Sequence, residues 1–135
     1  MPTLDCFAGH AEGQHQVSRF YSKFYGPGAL AVNAMYQDWA TDALLPNRLP
    51  LLWVFPPFEL VGEVIGKIQL EQTDAILVVP KFRRYWQVLL NSLPIVAQHD
   101  VKYHNRLYSI GSRAPVNMKL NKPIIQLSAY RISFV

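Results

Sequence analysis

The chain has few of the features that mark secreted, membrane-spanning or metal-binding proteins. Its only cysteine is Cys6, which excludes an internal disulfide and favours an intracellular, reducing compartment, the nucleus or the cytoplasm. No apolar run approaches the ~18–20 residues of a membrane-spanning helix, and the first residues do not resemble a signal peptide, so no membrane partner is expected. The four histidines lack the spacing of a zinc site, and we predict no bound metal.

Acidic residues are missing from the last part of the chain. Residues 101–135 contain six Lys or Arg and no Asp or Glu, a charge of +6, whereas residues 1–100 contain seven basic and nine acidic residues, a charge of −2. A basic face commonly neutralises phosphate, so nucleic acid, DNA or RNA, is the expected partner. The alternative is a basic surface that is only solvated. The candidate contacts are Lys81, Arg83, Arg84, Lys102, Arg106 and Arg113.

Half of the residues are apolar and 13% are aromatic, which predicts one packed domain over residues 1–135. Buried strands are predicted at residues 3–7, 18–25, 51–55 and 75–79, and helices at 29–39, 57–71 and 85–93. Residues 101–110 and 124–134 alternate polar and apolar side chains, which indicates an antiparallel pair at one edge. The helix after residue 57 has an apolar stripe and a predicted Glu63–Lys67 ion pair. This pattern predicts an α/β fold with a three-layer, mostly parallel sheet of the Rossmann-like type.

Three sequence features fall where predicted parallel strands end, and ligands bind beyond the carboxyl ends of such strands. One is the basic and aromatic run Pro80-Lys81-Phe82-Arg83-Arg84, which suits single-stranded nucleic acid and whose alternative interpretation is a solvated helix start. The other two are the following. In the first, Asp5 offers a carboxylate and Gly9 allows a ligand to approach the backbone closely. Its alternative interpretation is a strand-to-turn junction with a capping Asp. The second is Phe55-Pro56-Pro57-Phe58, a rigid extended path with an aromatic ring suited to stack on a flipped base. Its alternative interpretation places Phe55 and Phe58 in the core.

Short motifs along nearly the whole chain carry a family resemblance. In chain order they are Asp5-Cys6-Phe7-Ala8, Phe20-Tyr21-Ser22, Asn33-Ala34-Met35 with Asp38-Trp39, the Phe-Pro-Pro-Phe loop, Ile76 to Pro80, Trp86, and Leu127 to Ser133. Together they resemble the Dam-like (DNA N6-adenine methyltransferase-like) domain of DIRS-type retroelement polyproteins, which is related to phage adenine methyltransferases. The resemblance implies a methyltransferase-type sheet. It also implies S-adenosylmethionine as cofactor, held by Asp5, Phe7 and Gly9, and a base framed by Phe55, Pro56, Pro57 and Phe58.

Phe55 departs from the pattern of amino-directed methyltransferases, which have Asn or Asp before the two prolines. The resemblance therefore leaves two functions open. One is a DNA adenine methyltransferase-like domain whose activity is doubtful because Phe55 replaces the usual Asn or Asp. The other is a catalytically inactive nucleic-acid-binding or assembly module, joined to other domains of a polyprotein or to a host ribonucleoprotein complex. A third alternative is a scaffold subunit that contacts only protein, through Tyr21, Tyr25 and Tyr108.

Overall fold

The computed structural model describes residues 1–8, 17–22, 28–81, 86–101 and 126–134. Seven strands lie within these ranges: β1 Leu4–Ala8, β2 Phe20–Ser22, β3 Ala31–Val32, β4 Leu52–Val54, β5 Ala75–Pro80, β6 Ile95–Val101 and β7 Leu127–Ile132. The α-helices are α1 Trp39–Asp42, α2 Val61–Glu71 and α3 Trp86–Leu90, and short 3-10 turns cover Ala34–Tyr36 and Phe58–Leu60. None of these helices is long and apolar enough to cross a membrane.

All seven strands form one sheet in the order β3-β2-β1-β4-β5-β7-β6. The strands from β3 to β5 pair in parallel, and β7 runs antiparallel to both of its neighbours. The predicted α/β class and the mostly parallel sheet are confirmed, and β7 runs antiparallel as predicted for residues 124–134. From β1 the chain proceeds outward to β2 and β3 and then returns to β4 beside β1. The strand order therefore reverses between β1 and β4.

The main core lies between one face of this sheet and the helices. Alternate residues of the central strands point to this face, because side chains along a strand alternate between the two faces. They meet the predicted apolar stripe of α2, and α1 and α3 add Trp39, Trp86 and Leu90. Full burial of each large apolar side chain contributes roughly 1.5–3 kcal/mol. The central strand and helix residues of this core are Leu4, Leu52, Val54, Leu77, Val79, Val61, Val64, Ile65 and Ile68.

A second, smaller apolar cluster lies on the opposite face of the sheet. Val78 and Leu127 are buried at its centre, and half-buried apolar side chains pack around them. The sequence alternation in β5 and β7 accounts for it, since residues next to a main-core position project to the other face. The surrounding side chains are Trp53, Phe55, Phe58, Ile76 and Ala129.

The predicted helix over residues 29–39 is wrong. This segment holds β3, a 3-10 turn and only the first residue of α1. Asn33 has φ 62°, in the left-handed region, which interrupts a right-handed helix between β3 and the turn. Asp38 then caps α1 by accepting a hydrogen bond from the Thr41 backbone N–H, so the helix begins only after Asp38.

One further expectation needs correction. Lys67 forms its ion pair with Glu71, at 2.9 Å, and not with Glu63. Both side chains of the pair are largely buried. The Lys67 Nζ lies 5.0 Å from the centroid of the buried Trp39 ring, so this side chain does not extend over the solvated face of α2. The strand predicted at residues 101–110 lies outside the described ranges except for Val101, which ends β6. The described partner of β7 at this edge is β6, a strand that was not predicted from the sequence.

Candidate functional site at the carboxyl ends of β1 and β4

The carboxyl ends of β1 and β4 adjoin at the point where the strand order reverses. Leu4 lies opposite Leu52 and Asp5 lies opposite Trp53 in this parallel pair. The end of β1 and the Phe55-Pro56-Pro57-Phe58 loop after β4 therefore lie at the same edge of the sheet. In open α/β sheets this reversal creates the crevice in which ligands bind.

Asp5 lies within β1, three residues before the strand ends, and its side chain is only 2% exposed. Its Oδ1 accepts a hydrogen bond of 3.2 Å from the backbone N–H of Phe7. The pairing of β1 with β2 is irregular between Asp5 and Ala8, the segment in which this local bond forms. Irregular pairing of this kind is frequent beside active sites, where it redirects side chains. The same bond also fits the interpretation of Asp5 as a capping residue.

Phe7 packs toward the helical side of the sheet. Its ring meets the Trp39 ring edge to face, with centroids 5.9 Å apart and an interplanar angle of 88°. Trp39 is fully buried, and its Nε1 donates a 2.8 Å hydrogen bond to the backbone oxygen of Ala34. The Phe7 ring is therefore held by the core, which leaves its backbone as the part nearest to a ligand at the edge.

Behind β1 lies a partly buried polar network that the sequence reasoning missed. The Tyr21 hydroxyl donates a 2.5 Å hydrogen bond to Asp42 Oδ2, and burial, followed by this bond, raises the pKa of Tyr21 strongly. Glu71 accepts from the Ala40 backbone N–H at 2.9 Å as well as from Lys67. The i,i+4 spacing of Lys67 and Glu71 indicates their ion pair from sequence alone. The contact of Tyr21 with Asp42 has no such local pattern, because it depends on tertiary packing.

Cys6 lies beside this network and is completely buried. Burial raises the pKa of its thiol well above the ordinary value, and the neighbouring Asp5 carboxylate raises it further. A thiolate is the reactive form of cysteine, so this environment keeps Cys6 chemically inert.

The Phe55-Pro56-Pro57-Phe58 loop leaves β4 in an extended path. Pro57 has φ −55° and ψ 145°, and its carbonyl accepts from the Leu60 N–H at 3.0 Å to start the turn that leads into α2. Pro56 is buried, whereas Phe55 and Phe58 are half-buried and pack against the cluster around Val78 and Leu127. Both aromatic rings thus belong partly to the core while remaining at the edge where β4 ends.

Lys81 follows β5 at this same edge and is already paired. Its Nζ lies 2.7 Å from Asp100 Oδ2, and the other Asp100 oxygen accepts from Ser128 Oγ at 3.2 Å. The hydrogen bond from Lys81, then that from Ser128, holds the pKa of Asp100 below its usual range. Much of the Lys81 charge is therefore offset by a carboxylate.

The other predicted contacts lie outside the described ranges: Gly9, Arg83, Arg84, Lys102, Arg106 and Arg113. Residues 102–125 nevertheless connect two points at this edge. Val101 ends β6 and pairs with Leu127, which also pairs with Pro80 at the end of β5. The described residues that flank this segment, which has five basic and no acidic residues, thus lie at the edge that carries the candidate site.

Across the described part of the chain, no three His, Cys, Asp or Glu side chains are grouped so that they could hold a metal ion. Comparison with known proteins gives no match, either to a family model or to a curated protein.

Proposed function

We propose that this chain is an S-adenosylmethionine-dependent methyltransferase-like domain of the Rossmann-like type, with its cofactor at the carboxyl ends of β1 and β4. One observation carries the proposal. The end of β1, which contains Asp5, and the Phe-Pro-Pro-Phe loop after β4 lie side by side where the strand order reverses. The sheet gives further support, because it is mostly parallel with an antiparallel C-terminal strand, as in the methyltransferase-type sheet that the resemblance implies. A third layer belongs to this proposal alone, because the α-helices of the described ranges all pack on one face of the sheet, which gives two layers.

The cofactor supplies an electrophilic methyl group on a cationic sulfur and also carries an ammonium group. A buried carboxylate complements this charge, and Asp5 provides one at the reversal point. In the proposal, Asp5 accepts a hydrogen bond from the ammonium group or from a ribose hydroxyl, while the backbone of Phe7 and Gly9 lies against the ligand. Hydrogen bonds to charged groups contribute about 1.5–3 kcal/mol.

The loop after β4 frames the acceptor base in this proposal. Pro56 and Pro57 fix its path, and Phe58 offers a ring on which an extruded adenine stacks. At position 55 the amino group meets an aromatic ring and no hydrogen-bond acceptor, so nothing from this side chain stabilises the charge that develops as the methyl group is transferred. Loss of one such polar group slows enzymes by roughly 10²–10³-fold. We therefore propose weak methylation with the cofactor site retained.

Calorimetric titration with S-adenosylmethionine, and with S-adenosylhomocysteine for comparison, tests the cofactor site. The folded wild-type domain is expected to bind, and Asp5→Asn, which removes the charge but keeps the shape, to bind at least about tenfold more weakly. Asp38→Asn is the matched control, because it removes a carboxylate from the N-cap of α1 and Asn caps equally well. Unchanged affinity in Asp5→Asn, or no binding by folded wild-type protein, would contradict the proposal.

The second candidate is a catalytically inactive nucleic-acid-binding module of a polyprotein or a host complex. The observation that favours it is the return of the basic segment 102–125 to the same edge as Lys81. The affinity of the domain for a labelled single-stranded oligonucleotide is expected to fall as the salt concentration rises, because phosphate contacts release counterions.

Charge reversal separates this module from a merely solvated basic surface. The double variant Arg83→Glu/Arg84→Glu is expected to weaken oligonucleotide binding, whereas Arg48→Glu, a reversal at the opposite edge of the sheet, is expected to leave it nearly unchanged. Full affinity in the double variant would refute this assignment.

A further inference from the structure

A pocket of about 340 Å³ lies at the opposite edge of the sheet from the candidate site. Leu51 directly precedes β4, Asp74 directly precedes β5, and Arg131 lies near the end of antiparallel β7, so these residues meet where β4 and β5 begin. Arg48, Leu49 and Pro50 complete this wall. The volume is at the lower end of the range for small-molecule pockets.

The pocket has more positive than negative charge. Arg48 Nη2 donates to the backbone oxygens of Met1, at 2.7 Å, and Pro2, at 3.4 Å. Within the ranges that the structure covers, no carboxylate lies at salt-bridge distance from Arg48. Two guanidinium groups therefore share the pocket with the single carboxylate of Asp74.

The Asp74 carboxylate accepts its hydrogen bonds from groups other than the two arginines. Its Oδ1 accepts from the Phe134 backbone N–H at 2.9 Å, and its Oδ2 accepts from Ser133 Oγ at 3.3 Å. Arg131 Nη2 approaches Asp74 Oδ2 only to 3.8 Å, which is an ion pair but not a hydrogen bond. The carboxylate thus balances Arg131 weakly, and it anchors the chain after β7.

Arg131 also carries an unsatisfied donor. Its Nη1 is shielded from solvent and makes no hydrogen bond to any described residue. Buried donors are nearly always paired in folded proteins, so an unpaired one on a residue that lines the pocket calls for an acceptor. The planar fork of Arg matches the oxygens of phosphate and carboxylate groups, so an oxyanion in the pocket that Arg131 lines would supply the acceptor.

Apolar surface surrounds these charges. Leu49 is 89% exposed and Met1 is 88% exposed, and both line the pocket together with Pro50 and Leu51. Exposed apolar side chains beside a concave charged site suit a ligand with an anionic head and an apolar body. We propose that this pocket, here called the Arg48–Arg131 pocket, binds a small organic oxyanion, with the guanidinium groups on its phosphate or carboxylate and the apolar wall on its body.

NMR titration of the isotope-labelled chain tests this proposal, with phenyl phosphate as the organic probe and inorganic phosphate as the bare anion. Saturable shifts are expected at the backbone amides of Leu51, Asp74 and Arg131, with phenyl phosphate binding more tightly than inorganic phosphate. Arg131→Lys keeps the charge but loses the fork, and is expected to weaken binding about tenfold. Arg48→Gln provides a second variant at an exposed position, in case Arg131→Lys impairs folding. Lys81→Gln, at the opposite edge, is the control.

Three outcomes would overturn the proposal. Absence of saturable shifts, or shifts that Lys81→Gln abolishes, would show that the pocket is not an anion site. Equal affinity for the two probes would remove the organic body from the assignment. Loss of oligonucleotide binding in Arg48→Gln and Arg131→Lys, without any phenyl phosphate binding, would assign these arginines to nucleic-acid phosphates. Because the pocket lies at the other edge of the sheet, these results do not depend on the proposed methyltransferase-like function.

Discussion

Replacing Phe55 with Asn is expected to raise methyl transfer by this domain. The wild-type ring stands directly after β4, at the edge where the proposed base would lie, and it offers no hydrogen-bond acceptor. An Asn side chain would place a carbonyl oxygen there to accept from the adenine amino group. Since one polar contact to a developing charge is worth roughly 10²–10³-fold in rate, we expect Phe55→Asn to gain about 10²-fold.

The substitution also lowers the free energy of unfolding, by an amount that follows from how deeply Phe55 is buried. Phe55 is half-buried and packs against the cluster around Val78 and Leu127. Truncating a fully buried Phe costs about 3–5 kcal/mol, so a half-buried one is expected to cost roughly 1–2 kcal/mol. A domain of this size usually has about 5–15 kcal/mol of stability, and the variant is therefore expected to remain folded.

Transfer of a labelled methyl group from S-adenosylmethionine to an adenine-containing oligonucleotide measures the effect. Phe55→Leu is the matched control, because it shortens the apolar side chain without adding an acceptor and is expected to show no gain. If folded Phe55→Asn binds the cofactor and transfers methyl groups no faster than Phe55→Leu, the reasoning about position 55 is wrong.

Three further predictions concern the described core and the Lys81–Asp100 ion pair. Tyr21→Phe removes the hydrogen bond to Asp42 and should lower the free energy of unfolding by about 1.5–3 kcal/mol, measured by urea denaturation; an unchanged midpoint would count against that bond. Cys6 should react with a thiol reagent only after unfolding, and rapid native labelling would contradict its burial. Asp100 has a lowered pKa, so its stabilising contribution is present above the ordinary value of 3.8 and is lost as the pH falls through the folded pKa. Asp100→Asn should therefore flatten the acid decline of the urea midpoint, and an identical decline in both proteins would exclude the Lys81–Asp100 bond as its source.

The sequence predicts the central part of the fold well, because its signals there are local. A continuous apolar run bounded by proline identifies β4, and the spacing of Val61, Val64, Ile65 and Ile68 identifies α2. The alternation around Leu127 to Ile132 identifies an antiparallel strand. What sequence cannot give is the partner of that strand, since pairing with both β5 and β6 is a property of the assembled sheet.

The failures have physical causes that a sequence hides. Residues 29–39 contain good helix formers, but the left-handed backbone of Asn33 and the capping bond of Asp38 restrict the helix to its last part. The candidate site likewise has features that the sequence indicates and features that it does not. Proline and glycine patterns indicate that the ends of β1 and β4 carry the site, whereas the burial of Asp5 and the packing of Phe7 on Trp39 arise from tertiary contacts.

The central claim, a cofactor site where β1 and β4 end, is tested most directly by NMR mapping with S-adenosylhomocysteine. We predict saturable shifts at the amides of Phe7 and Ala8 on β1, of Val54 on β4 and of Phe55 directly after β4, with little change at Asp74 and Arg131 across the sheet. A folded domain that shows no saturable shifts, or shifts centred on Asp74 and Arg131, would contradict it.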